Sequence, residues 1–185
     1  MEKKIKIKII GLVGSLRQQS FNKALMQAAI ELCPGGTEIE IADINFPLFN
    51  QDLESNLPES VRIFKEKIRL ADAILFATPE YNYSFSGVLK NAIDWGSRPF
   101  ENNSFNGKPA AIMSASIGMI GGARAQYHLR QSFVYLNILP LNHPEVMVPF
   151  AQKKIMDGKI IDEKTREKIK ELVEALVEKA EKCKL

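Results

Sequence analysis

Ile5-Lys6-Ile7-Lys8-Ile9-Ile10 runs into Gly11-Leu12-Val13-Gly14-Ser15-Leu16-Arg17-Gln18-Gln19-Ser20-Phe21-Asn22, and the reading of this stretch decides the fold. The first part is β-branched, alternates with lysine and then turns fully apolar, as a strand entering a core does. Beyond it Ala24, Leu25, Ala28, Ala29 and Leu32 recur at helical spacing. A loop rich in Gly, Ser, Arg and Asn therefore joins the first strand to the first helix of an α/β unit. Free backbone N–H groups, hydroxyls, a guanidinium and a helix N-terminus all suit an anion, a phosphate above all.

Strand and helix signals alternate along the rest of the chain. Thr37 to Ile44 reads as a half-exposed strand, Val61 to Leu70 as an amphipathic helix, and Ala73-Ile74-Leu75-Phe76-Ala77 as a buried strand ending at Thr78-Pro79. Val88 to Trp95 reads as a helix, Ala110-Ala111-Ile112-Met113 as a strand, residues 122–136 as a helix, and Ile138 to Val148 as an interrupted strand. Asp162 caps a last helix with Ile169, Leu172, Val173, Leu176, Val177 and Ala180 on one face. Alternation of this kind predicts a doubly wound parallel sheet, with ligands at the carboxyl ends of its strands.

Two more strand-end loops carry chemistry. Thr78-Pro79-Glu80-Tyr81-Asn82-Tyr83-Ser84-Phe85-Ser86-Gly87 offers aromatic faces and backbone amides to a flat ring, and Asn82 and Gly87 tolerate unusual backbone angles. Ser114-Ala115-Ser116-Ile117-Gly118-Met119-Ile120-Gly121-Gly122 allows close approach of backbone to ligand. Each is weak evidence alone. Three such loops, each following a strand, are strong, because the fold brings those ends together.

Composition narrows the classes. The chain has 185 residues, 45% of them hydrophobic, with a net charge of +3, enough to bury a substantial core. The basic excess sits partly at the ends, Lys3, Lys4, Lys6 and Lys8, then Lys179, Lys182 and Lys184, and reads as solvated surface. No nucleic-acid reader motif accompanies it, no apolar run is long enough to span a membrane, and no signal peptide opens the chain, so a cytoplasmic location is expected. Cys33 and Cys183 are solitary, His128 and His143 lack metal-ligand spacing, and no metal site is expected. A nucleophile elbow fails at Ser15, where Arg17 occupies the second glycine position, and at Ser116, where Ser114 replaces the first glycine. The dinucleotide and Walker fingerprints are absent after the first strand. Trp95 reads as core packing, and Glu80 as either a loop carboxylate in solvent or a group near the ligand.

Gly14-Ser15-Leu16-Arg17 with Ser20 and Asn22, Pro79 to Ser84 leading into Leu89-Lys90-Asn91-Ala92-Ile93-Asp94-Trp95, and Gly118 to Gln126 together resemble the NADPH-dependent FMN reductase family over roughly residues 5–150. That family includes bacterial quinone and chromate reductases and azoreductase-like proteins. The resemblance implies a flavodoxin-like five-stranded sheet of order 2-1-3-4-5 with helices on both faces, bound FMN, NADPH or NADH as hydride donor, small-molecule electron acceptors, and assembly as dimers or tetramers. It places Ser15, Arg17, Ser20, Phe21 and Asn22 at the FMN phosphate. Pro79, Glu80, Tyr81, Asn82 and Tyr83 fall beside the isoalloxazine ring, and Ser114, Ser116, Gly118 and Gly121 near its pyrimidine side. Hydride transfer between two ring systems needs positioning more than acid–base chemistry, so no catalytic side chain is named. The alternative is a flavodoxin-type carrier that binds FMN without nicotinamide turnover. For assembly, the run Phe133-Val134-Tyr135-Leu136 makes the end of the fourth helix apolar on more than one face, with Tyr127, His128 and Arg130 beside it and Arg124 and Glu145 as a candidate polar pair.

Overall fold

The structure, a computed structural model, describes residues 7–184. Strands β1 (Ile7–Val13), β2 (Thr37–Ile41) and β3 (Ala73–Ala77) lie parallel, with β1 between the other two. After β3 come a short hairpin, β4 (Glu80–Tyr81) and β5 (Ser84–Phe85), and then β6 (Pro109–Ala115), which pairs parallel with β3. The fifth position in the sheet is shared. β7 (Leu139–Pro140) pairs with the start of β6 and β8 (Val146–Val148) with its end, both parallel. Pro140 and Pro144 supply no N–H to a ladder, which accounts for the interruption. The sheet therefore runs β2-β1-β3-β6-β7/β8, the expected 2-1-3-4-5 order. A second hairpin, β9 (Ile155–Met156) and β10 (Lys159–Ile160), precedes the last helix.

Helices α1 (Phe21–Leu32), α2 (Glu59–Leu70), α3 (Gly87–Gly96), α4 (Ala123–Leu136) and α5 (Glu163–Cys183) cover both faces. The period-2 alternation of the strands divides the core in two. Ile9, Leu75, Ala77 and Met113 point to the layer with Leu25, Met26, Leu172 and Leu176, while Ile10, Leu12, Phe76 and Ile112 point to the layer with Phe64, Ile68, Leu89 and Phe133. β3 and β6 are buried on both sides, as central parallel strands are, whereas edge strand β2 buries only Ile39 fully. Asp162 caps α5 by accepting the Thr165 N–H. Trp95 is fully buried and its Nε1 donates to Pro47 O at 2.8 Å, while Asn91 ties down the same segment through Phe49 N and Pro47 O.

Some expectations shift. β2 stops at Ile41, because Asp43 turns the chain by accepting the Asn45 N–H through its own carboxylate. The expected start of the first strand at Ile5 and the lysines at 3, 4 and 6 lie outside the described residues. Lys179 bonds Pro140 O, Lys182 pairs with Glu178 and Lys184 with Asp72, so the C-terminal lysines are spread over separate partners.

Candidate functional site

The site starts where β1 ends. Gly14 is pressed against Ser86 and Thr78, whose hydroxyls would lie 2.7 and 3.1 Å from a Cβ, so no larger residue lets this turn pass beneath β3's own loop. Ser20 is the N-cap of α1 and accepts from Lys23 N. The first-turn amides of Phe21 and Asn22 then have no carbonyl within the helix to bond. Arg17 is exposed above them, with its guanidinium 5.2 Å from the Phe21 ring. Amides, the Ser15 and Ser20 hydroxyls and an exposed cation make an anion seat of the kind the sequence suggests.

Asn22 does something else with its side chain. It is 2% exposed, and its amide donates to Ala115 O at 3.2 Å while accepting the Ala115 N–H at 3.0 Å. Only its backbone faces the anion seat, because the side chain satisfies the last residue of β6.

The second loop is the β4–β5 hairpin, whose turn residues Asn82 and Tyr83 both have positive φ, +49° and +68°. That is the primed turn that matches strand twist. Gly87, which could tolerate an unusual angle, does not take one and opens α3 behind the Ser86 cap. Glu80 is not a solvated carboxylate: it accepts from Arg124 N at 3.1 Å and from Arg124 Nη1 at 3.0 Å. It thereby caps α4, whose own N-cap is Gly122 and brings no side chain. Arg124 also lies 3.8 Å over the Tyr83 ring, so one arginine holds the first arm and the turn of the hairpin. Within the chain Arg124 thus pairs with Glu80, whereas the candidate pairing with Glu145 concerns an interface between copies.

In the third loop the residues divide by depth. Ser114 is buried, donates to Gly121 O at 2.7 Å and accepts from Gln126 Nε2 at 2.8 Å. Gly121, at φ +62°, lies so close to β8 that a Cβ would meet Met147 C at 2.8 Å. Both support the loop from beneath. Ser116 and Gly118 are on top, joined by a Gly118 N to Ser116 Oγ bond of 3.1 Å.

A cleft of about 400 Å³ gathers Ser15, Arg17, Ser20, Phe21 and Asn22 with Pro79, Glu80, Tyr81 and Ser116, and adds Ala115 and Ile117. Asn82, Tyr83, Ser114, Gly118 and Gly121 lie outside its lining. Ala115 ends β6 and Ile117 stands two residues beyond it, and their place at the end of a buried apolar strand was the signal for them. The anion-seat residues and the exposed side chains of Tyr81 and Ile117 thus line one cleft. A phosphate joined to a flat ring system suits that donor set, so the residues present fit FMN. Among the described residues no group of three or more His, Cys, Asp or Glu could hold a metal ion. No described helix is long and apolar enough to cross a membrane.

Comparison with known proteins agrees with this geometry. The chain is 56% identical over 173 residues to an NAD(P)H-dependent FMN reductase of Pseudomonas aeruginosa, covering 92% of this chain and 93% of the relative. It is 46% identical to a 2-hydroxy-1,4-benzoquinone reductase of Burkholderia, over 86% of this chain and 88% of that one. The structure is similar to that of a flavoenzyme NAD(P)H:(acceptor) oxidoreductase from Paracoccus denitrificans, with a TM-score of 0.88, 38% identity and coverage of 96% and 98%. Residues 7–153 match the family described as NADPH-dependent FMN reductase, and with the phosphate seat and ring-sized cleft at the carboxyl end of the sheet the chain belongs to that family, as an oxidoreductase using FMN and NAD(P)H.

Proposed function

We propose that the chain acts as one FMN-binding domain that moves electrons from NADPH or NADH to small-molecule acceptors, quinones foremost. The observation that carries this is the meeting of three strand-end loops on one cleft that joins an anion seat to the apolar surfaces of Pro79, Tyr81 and Ile117. FMN, when bound there, supplies the hydride chemistry. The chain's own residues bind and position: Arg17, the Ser15 and Ser20 hydroxyls and the first amides of α1 hold the phosphate. Tyr81, Pro79 and Ile117 offer flanking surfaces to the ring, and Ser116 with its loop amides reaches its polar edge. Ser114, Gly121 and Gln126 keep that loop in place from below, and Asn82 and Tyr83 shape the hairpin that carries Tyr81. Quinone reductases among its relatives support a small, flat, conjugated acceptor. Other flavins, azo compounds and chromate-like metal ions extend that range by family resemblance.

The outer face of α4 supports assembly as a homodimer or homotetramer. Phe133 and Leu136 turn inward, but Val134 and Tyr135 are 85% and 70% exposed, and Phe100 stacks edge-on against Tyr135 at 5.9 Å. Monomers seldom leave such a patch in water. A cytoplasmic location accords with two free cysteines and with the small redox substrates proposed.

Anaerobic mixing of the FMN-loaded protein with NADPH, and separately NADH, tests the reading. Rapid loss of the flavin's visible absorbance is expected with at least one donor. A flavin that stays oxidised with both leaves only the electron-carrier alternative. Ranking quinones, flavins, azo dyes and chromate by kcat/KM then identifies the acceptor class.

A further inference from the structure

A second cavity, about 560 Å³, lies on the far side of the phosphate loop, between that loop, the first turns of α1 and the carboxyl end of β2. It shares Ser15 and Ser20 with the flavin cleft, so the two are neighbours across a single turn of chain. Its lining is mixed in a particular way. Leu16 and Ile41 are 52% and 42% exposed and both border it, while Ile44 is buried and also borders it. Branched aliphatic side chains left half in water around one cavity suit a flat apolar face such as a purine. Asp43 and Lys23 bring opposite charges to the same cavity, and among the described residues neither forms an ion pair. Asp43 Oδ1 accepts the Asn45 N–H at 2.9 Å, which fixes the carboxylate while leaving its other oxygen to accept from a sugar hydroxyl.

The placement has a chemical meaning. In the related doubly wound dinucleotide-binding sheets, whose glycine fingerprint this chain lacks, an acidic residue near the end of the second strand takes ribose hydroxyls, and Asp43 occupies the comparable place here. Asp43 stands two residues past β2. Lys23, on the first turn of α1, offers a cation for a diphosphate passing over the Ser15–Ser20 turn. From the gap between β2 and β1 to the gap between β3 and β6 is two strand spacings, about 10 Å. That is within the reach of an extended dinucleotide whose nicotinamide end enters the flavin cleft.

We propose that this cavity holds the adenosine diphosphate half of the reduced nicotinamide dinucleotide, with Asp43 on the ribose hydroxyls and Lys23 on the diphosphate. The inference rests on the reductase reading above for its donor, but not for its test.

ADP-ribose, which has no redox chemistry, is titrated into the FMN-loaded protein by calorimetry, and into the Asp43→Ala and Asp43→Asn variants. Asp43→Asn keeps an acceptor for the Asn45 N–H, so a folding defect and a lost charge are told apart. Binding to the wild type is expected, weakened roughly tenfold in both variants, with FMN retention unchanged. In turnover, kcat/KM for NADH falls by a similar factor through KM. Reduced nicotinamide mononucleotide, which lacks the adenosine half, is used equally well by wild type and variants. No ADP-ribose binding by the wild type overturns the proposal, as does equal loss with both donors or no loss with NADH. A wild type that binds ADP-ribose yet fails to oxidise NADH or NADPH overturns the reductase reading and leaves the cavity's assignment standing.

Discussion

A lysine ammonium and three carbonyl oxygens meet under the end of α3. Lys65, 1% exposed, donates to Gly96 O and Asn102 O, each at 3.0 Å, and to Arg98 O. The position was legible: with Val61, Phe64 and Ile68 it falls on the i, i+3, i+4, i+7 stripe of α2 that faces the core. Its partners were not, because they come from a segment about 30 residues away that has no periodicity. Replacing Lys65 with Met leaves three carbonyls without their donor and is expected to cost about 3 kcal/mol in urea unfolding, more than the relief of burying no charge returns. Burial also pushes the Lys65 ammonium down to about 8, so the folded chain holds this proton less tightly than the unfolded one. The resulting cost is present in full below about pH 8 and is relieved as pH rises toward the unfolded value. The melting-temperature gap between wild type and Lys65→Met is therefore expected to widen from pH 7 to pH 10. Arg17 differs in kind, being exposed, with its guanidinium over the Phe21 ring. Arg17→Ala is expected to weaken FMN binding ten- to a hundredfold with no change in melting temperature of the FMN-free protein, measured by fluorescence titration and calorimetry.

Among the elements, the long helices and buried strands were legible because their apolar spacing repeats over two or more turns or pleats. The hairpins divide instructively. Asp157 and Gly158 both have positive φ and join β9 to β10, and Asp-Gly between two short apolar runs is a hairpin signal open to reading from sequence. Asn82-Tyr83 was not readable in that way, since a tyrosine in the left-handed region carries no composition cue. It is held there by Arg124, which comes from α4. Asn82→Pro forces φ near −65° on a residue at +49° and removes an N–H. It is expected to lose flavin binding, whereas Asn82→Gly, which takes the same angle without strain, is expected to keep it. Equal behaviour of the two variants in an equilibrium dialysis of FMN counts against any role for the hairpin's shape. Glu80 shows the same limit: its residue type suggested solvent or ligand, and only the arrival of α4's N-terminus turned it into a cap.

At the scale of the whole molecule, the sequence carried the convergence of three loops but not their depth. It could not show that Ser114 and the Asn22 side chain face inward, because both are polar residues whose partners, Gly121 O and the Ala115 peptide, are fixed by packing between distant strands. The exposed Val134 and Tyr135 lead to a prediction about assembly. Light scattering at micromolar concentration is expected to show a mass above one chain, and Tyr135→Glu to dissociate the assembly by placing an unpaired charge in its seam. A monomer of 20.8 kDa in the wild type removes that interface. The Asn22–Ala115 bridge has a consequence for timing. Two hydrogen bonds spanning 93 residues of sequence clamp the phosphate turn to the far lip of the cleft, like a calliper locked at one opening. A slot gauged in advance has no ordering left to do when its occupant arrives. Loading of FMN is accordingly expected to show a single fast phase in stopped flow, and Asn22→Ala, with the jaw unlocked, is expected to add a slow second phase.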